Sequence, residues 1–265
     1  MPEGDTIHRS AATLRQWLAG RTLTAATSRH VALGAARLVG GVVTGVEAKG
    51  KHLLLTVDDR LVVHTHLGMT GSWRVKPAPS SWRRSMSRAD IVLEAGDRHA
   101  ACFDAPVVEV LDVRDASVRV ADLGPDACVE PLDLGEVRRR AAALPAGATA
   151  GELLLDQRVV SGVGNVYRCE ALFARRLWPW APVADLGAEE LDALVAAAAA
   201  MLRANLSPRL GFARDTGAGP GRPLVYGRAG RPCRRCGTSV ARSPLGNRSV
   251  YWCPSCQASP SSPIP

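Results

Sequence analysis

The side chains able to do chemistry fall at the two ends of the chain and at one point between them. The chain opens "MPEGDTIHR"; if the initiator Met1 is removed, which the small Pro2 permits, it starts with a secondary amine followed at once by the Glu3 carboxylate. A terminal amine titrates near pH 8, against about 10.4 for a lysine, so part of it is neutral and nucleophilic at physiological pH. Read alone, Met-Pro-Glu is equally a polar, flexible start. Near the other end stands Cys233-x2-Cys236-x16-Cys253-x2-Cys256, two knuckle pairs at a separation that lets four thiolates wrap one tetrahedral Zn²⁺. Two disulfides are the alternative, but the leftover Cys102, Cys128 and Cys169 form an odd, scattered set, as expected of reduced thiols. In the middle, "DQRVVSGVGNVYRCEALF" sets Gly162, Gly164 and Asn165 between two helical patterns. Free amides and the Asn165 side chain at a helix start make a phosphate site, with an ordinary interhelical turn as the equal alternative.

These groups need elements to hold them. Gly4 and Asp5 can cap a helix whose apolar positions Ile7, Ala11, Leu14 and Leu18 recur at helical spacing and stop at Gly20. Pro2 and Glu3 then sit at its positive end, where a protonated amine is disfavoured. Eight short β-rich runs follow: "RTLTAAT", "GVVTGVEA", "HLLLTV", "RLVVHTH", "MTGSWRV", "DIVLEA", "HAACF" and "VVEVLD". Turn signals such as Asp58-Asp59 and Gly96-Asp97 separate them, which predicts a β-sandwich or barrel. After the connector "LGPDACVEPLDLG" the pattern turns helical in "LGEVRRRAAAL", "TAGELLLDQ", "NVYRCEALFARR" and "GAEELDALVAAAAAMLRANL", with a capping box at Thr149 and Glu152. "ARDTGAGPGRP" reads as a flexible loop ahead of the cysteine module, and "ASPSSPIP" as a disordered tail.

Composition narrows the function classes. The net charge is +8, yet residues 216–265 carry seven Arg and no acid, whereas residues 1–215 are nearly balanced with 26 basic and 25 acidic side chains. Concentrating the excess in the last fifth of the chain favours a polyanionic partner. No apolar run reaches the ~18 residues of a membrane span, and the first residues lack the basic-then-apolar order of a signal peptide. A cytoplasmic, nucleoid-associated monomer without membrane contact is expected.

Three further residues are ordinary when taken singly. Lys51 in "AKGKHLLL" reads as a solvated charge at a strand start, Met69 in "HLGMTGSW" as a core or turn-edge residue, and Arg248 as an exposed hairpin Arg. Together, however, the N-terminal Pro-Glu, "GKHLLL", "THLGMTG", "DQRVVSGVGN", "VYGRAGRPCRRCG" and "NRSVYWCPSCQ" run in an order and at separations that resemble the formamidopyrimidine-DNA glycosylase and endonuclease VIII family. The resemblance covers roughly residues 1–257.

It implies a bifunctional DNA glycosylase and AP lyase acting on damaged DNA in base excision repair. Pro2 would be the nucleophile and Glu3 its acid-base partner. Lys51 would complete the catalytic group and, with Asn165 and Arg248, clamp phosphates. Met69 would fill the gap left by a flipped base, and Cys233, Cys236, Cys253 and Cys256 would hold one structural zinc, with no organic cofactor. The implied fold is α+β and multidomain. A catalytic N-terminal helix and β-sandwich would span 1–118, a hinge linker 119–132, a helix-two-turn-helix DNA-binding domain 133–221, a zinc finger 222–257 and a disordered tail 258–265.

Two departures bear on substrate. Thr6 stands where many relatives carry a Glu, and "CFDAPVVEVLD" lacks the Asp-Pro-Arg-Arg-Phe-Gly of the purine-preferring branch. "MPEG" and the missing loop resemble the endonuclease VIII branch, which predicts oxidised pyrimidines, while "HLGMTG" resembles the other branch. The competing readings are an enzyme of that purine branch, or a catalytically silent, zinc-containing damage sensor.

Overall fold

The computed structural model describes residues 1–78, 86–207 and 213–259. The chain divides into two compact units, Met1–Asp122 and Leu123–Pro265.

The first unit begins with α1 (Gly4–Leu18), whose entry is set by the extended backbone of Glu3. The Glu3 carbonyl accepts from the amides of Thr6 (2.9 Å) and Ile7 (3.2 Å), starting the helical ladder. Ile7, Ala11, Leu14 and Leu18 form one buried stripe, as their spacing predicts. Strands β1 (Ala25–Thr27), β2 (Val43–Lys49), β3 (His52–Val57), β4 (Leu61–His66), β5 (Ser72–Pro77), β6 (Ile91–Ala95), β7 (Arg98–Phe103) and β8 (Val107–Asp112) arise from the eight expected runs. They form two four-stranded antiparallel sheets, ordered β2-β3-β4-β8 and β1-β6-β7-β5. Leu53, Leu55, Leu61 and Val63 of one sheet meet Ile91, Leu93, Ala100 and Cys102 of the other in one core, which α1 completes. The β3–β4 hairpin turns through Asp58 and Asp59, both with positive φ (51° and 50°), the geometry that matches strand twist in a tight hairpin. One α-helix was not expected from the sequence: α2 (Val113–Arg119) continues directly from β8. With Ala116 its only buried residue, it has too little apolar face to announce itself.

In the second unit, α3 (Leu134–Ala141), α4 (Ala150–Leu153), α5 (Asn165–Ala174) and α6 (Ala188–Ala204) correspond to the four helical patterns. The capping box at Thr149 and Glu152 is formed. Val160, Val163, Leu172, Leu194, Val195 and Ala198 sit in the core of this helical part. A separate, smaller core of Phe173, Val225, Val240, Val250 and Cys253 lies under the hairpin of β9 (Ala241–Leu245) and β10 (Arg248–Trp252). The segment expected to be a flexible loop is tied down instead. Asn205 exchanges hydrogen bonds with the backbone of Asp215, donating to its carbonyl and accepting from its amide at 2.7 Å each. The Glu170 carboxylate accepts from Thr216 Oγ1 (2.9 Å) and from the amides of Leu224, Val225 and Tyr226 (2.7–2.9 Å). A buried acid on α5 therefore orders the Gly-rich stretch, something local composition cannot reveal. Residues 260–265 of the expected tail lie outside the described residues.

Candidate active site and cysteine cluster

Glu3 is completely buried, and Pro2 beside it is half-buried. Glu3 occupies the N-cap position of α1, at the positive end of the helix dipole. Asp5 and Arg9, also buried, close an i,i+4 ion pair at 3.2 Å that steadies the same turn.

Lys51 lies in the β2–β3 turn, which Gly50 makes at a φ of 58°. Its charge is felt by His52 and His66, the first residue of β3 and the last of β4, which pair across the sheet. Burial, together with the charges of His66, His64 and Lys51, lowers the His52 pKa to about 4. Burial first, then Lys51, pushes His66 down as well. Lys51 thus stands beside imidazoles that stay neutral at physiological pH.

Met69 follows β4 in a turn closed by the Gly71 amide on the Leu67 carbonyl (2.8 Å). Gly68 is required there, since its φ is +56° and a Cβ would come within 2.6 Å of the Pro106 ring. The turn leaves 53% of Met69 exposed, an apolar side chain held outward by rigid backbone and not the core residue its type suggests.

In the second unit Asn165 is the first residue of α5 and donates from Nδ2 to the Ser249 carbonyl (2.9 Å). Ser249 is the neighbour of Arg248 on β10, so two expected phosphate-binding residues, far apart in sequence, come to one place. Arg248 is exposed at the hairpin end, opposite Leu245. Sequence reasoning missed Arg168, which is fully buried one turn along α5 and donates from Nη2 to the same Ser249 carbonyl (3.0 Å). Burial is the main influence pulling its pKa below the ordinary arginine value, and the Arg248 charge adds to it. The only sequence signal was a charged Arg within a helix whose other residues are mostly apolar.

The four cysteine sulfurs lie within 4.8 Å of one another. Cys233 and Cys256 are 3.9 Å apart and Cys236 and Cys253 3.4 Å, far beyond a covalent S–S bond. Four thiolates bound at about 2.3 Å around a tetrahedral ion would be about 3.8 Å apart, so the donor set fits zinc in both chemistry and size. Hydrogen bonds from Thr238 lower Cys236 to about 6, whereas burial and then the neighbouring thiols push Cys253 and Cys256 up. Such a cluster cannot hold several thiolates without a cation.

Residues 1–114 match the family described as formamidopyrimidine-DNA glycosylase N-terminal domain, and residues 123–212 the formamidopyrimidine-DNA glycosylase H2TH domain. The chain is 39% identical to "Probable endonuclease 8 2" of Streptomyces coelicolor, covering 98% of this chain and 95% of that protein. It belongs to the formamidopyrimidine-DNA glycosylase and endonuclease VIII family. Identity is 42% to "Endonuclease 8 2" of Mycobacterium tuberculosis, over 97% of this chain and all of that protein. With "DNA-(apurinic or apyrimidinic site) lyase Nei2" of Mycolicibacterium smegmatis it is 41%, over 97% and 99%. These relatives set the chain on the endonuclease VIII side of the family, whose enzyme class is glycosylase and AP lyase. The fold is also that of the Lactococcus lactis Fpg in complex with abasic-site DNA, at a TM-score of 0.82 and 19% identity over 97% of this chain and 100% of that one. Within the family frame, Pro2, Glu3, Lys51 and Met69 belong to the first unit, and Asn165, Arg248 and the cysteines to the second.

Proposed function

We propose that this chain is a bifunctional DNA glycosylase and AP lyase of base excision repair, acting on damaged DNA through the amine of Pro2 once Met1 is removed. The observation that carries the reading is the fully buried Glu3 next to Pro2 at the start of α1. Pro2 nitrogen attacks the anomeric carbon of the damaged nucleotide as the base leaves. Because the amine is secondary, the adduct is an obligate iminium cation, an electron sink that acidifies the neighbouring sugar carbon and allows strand cleavage by elimination. Glu3 moves protons on the sugar ring. Lys51 in one unit and Asn165 and Arg248 in the other hold phosphates, and Met69 occupies the space vacated by the flipped base. One structural zinc on Cys233, Cys236, Cys253 and Cys256 would hold the hairpin that carries Arg248. The domain limits expected from the sequence, with a hinge over 119–132, belong to the same proposal.

Oxidised pyrimidines are the proposed substrates. β7 ends at Phe103 and β8 begins at Val107, so only Asp104, Ala105 and Pro106 connect them. So short a link has no room for further wedge residues or for an arginine that reads the orphaned partner base. With Met69 as the single wedge, lesions that are already poorly stacked are favoured, because flipping costs a few kcal/mol of stacking and pairing. Thymine glycol and dihydrouracil have lost ring planarity; 8-oxoguanine has not. Single-turnover rates should therefore be higher on those two lesions than on 8-oxoguanine opposite cytosine, and the reverse order would move the chain to purine substrates.

A further inference from the structure

The short link between β7 and β8 bears on the Met69 turn at the residues on either side of Met69. On one side the Pro106 ring packs against Gly68, so closely that a Cβ there would meet its Cγ at 2.6 Å and its Cδ at 2.9 Å. On the other, Thr70 Oγ1 donates to the Asp104 carbonyl (3.3 Å). Asp104 takes a left-handed backbone, with a φ of 54°, which an aspartate tolerates better than most residues but which still needs support from its surroundings.

The middle of the link is held by Asp90, which stands just before β6 and is only 1% exposed. It is next in sequence to Ala89, part of a small apolar cluster with Val92, Ala101 and Phe103. Asp90 Oδ2 accepts from the Ala105 amide (2.9 Å), and Oδ1 accepts from Nη2 of the exposed Arg29 (2.5 Å). The Asp90 backbone is fixed as well: its amide donates to the Cys102 carbonyl of β7 (2.8 Å), and its carbonyl accepts from Ser28 Oγ (2.6 Å). A buried carboxylate is costly unless it is paired and hydrogen-bonded. An apolar side chain would fill the same place without that cost, but it could not hold the amide of Ala105, the central residue of a three-residue link.

We propose that Asp90 is a positioning residue for Met69: by fixing the Ala105 amide it holds residues 104–106 as a rigid seat, against which Gly68 and Thr70 set the direction of the wedge. This rests on the role of Met69 in the proposed function. A methionine side chain is unbranched and flexible, so as a wedge it resists the return of a flipped base only as well as its backbone is fixed. The link adds no wedge of its own and serves the one on the neighbouring turn.

Two readouts separate this role from a structural one: the substrate on which the variant slows, and a double-mutant cycle with Met69. Asp90→Asn keeps the size of the side chain, but its amide can offer an acceptor to only one of the two partners. Under single-turnover conditions D90N should excise dihydrouracil from a duplex about fivefold more slowly than the parent, and cleave abasic-site DNA, where no base has to be unstacked, within about twofold of it. Met69→Ala should slow duplex excision about tenfold, and D90N added to M69A should slow it no further, because residues acting through one another lose the shared effect only once. Thermal melts check that the variants fold; should D90N not fold, Pro106→Gly, which removes the seat at an exposed position, is read the same way. D90N as fast as the parent, equal slowing on both substrates, or slowing that adds in full to that of M69A would overturn the positioning role. A parent inactive on both substrates overturns the proposed function, and M69A as fast as the parent overturns the wedge reading within it, whereas a slow M69A with an additive D90N overturns only this inference.

Discussion

The two units hold their functional residues in different ways. In the sandwich, Pro2, Glu3, Lys51 and Met69 sit on a helix start and on turns of a unit built round one large apolar core, with few buried charges beside it, such as Asp5, Arg9 and Asp90. In the second unit, Asn165 and Arg248 are placed by polar and sulfur contacts: the shared Ser249 carbonyl, the buried Glu170 carboxylate and the cysteine cluster. An apolar scaffold tolerates change at its polar rim. A scaffold built on buried charges and thiols fails when any one partner is removed.

The sharpest break in that comparison should come from the metal. Structural zinc contributes on the order of 10–16 kcal/mol in isolated fingers, so Cys253→Ser or a strong chelator should unfold the hairpin of β9 and β10 while the sandwich keeps its stability. Hydrogen exchange resolved by segment should show protection lost over 233–257 and retained over 43–66. Uniform loss in both units would erase the contrast.

Glu170→Ala comes next. It leaves three backbone amides and the Thr216 hydroxyl without their acceptor, a loss of roughly 3–5 kcal/mol to the second unit by denaturant unfolding. A change below about 1 kcal/mol would mean that the Gly-rich segment does not depend on this acid.

A smaller effect is expected at the surface. Arg248→Ala should weaken binding to damaged and undamaged duplexes alike and lower the logarithmic salt slope by about 0.9. An unchanged slope would take Arg248 off the phosphate path.

The smallest effect belongs to the sandwich rim. His52 has its pKa lowered in the fold to about 4 from an ordinary 6.5, so the unfolded chain binds the extra proton first as pH falls. The contribution is present above pH 6.5 and is lost between pH 6.5 and 4. Lys51, Lys49, His64, His66, Glu109 and Arg119 surround this ring and remain in a His52→Gln variant. The melting temperature of His52→Gln should therefore fall less steeply over that interval than the parent's, and parallel curves would refute the assignment.

The same contrast explains what the sequence shows of itself. The eight strands of the sandwich and the stripe of α1 are legible because short β-rich runs are bounded by turn residues and the apolar positions of α1 recur at helical spacing. The cysteine quartet is legible because two Cys-x2-Cys pairs at this separation have the spacing of a tetrahedral metal site. Arg168, Glu170 and the contacts among His52, His64 and Glu109 are not, since each depends on partners from β8, β10 or residues 216–226 that only the tertiary fold brings near. A helix such as α2, with one buried residue, gives no periodic signal at all.

The central claim is that the amine of residue 2 forms the covalent adduct with the sugar. Protein with Met1 removed, incubated with abasic-site DNA and borohydride, should yield a trapped complex whose peptide mapping places the DNA on Pro2, and protein extended at its N-terminus should bind the same DNA and trap nothing. A complex mapped to a lysine, or robust strand cleavage by verified N-terminally extended protein, would contradict the account.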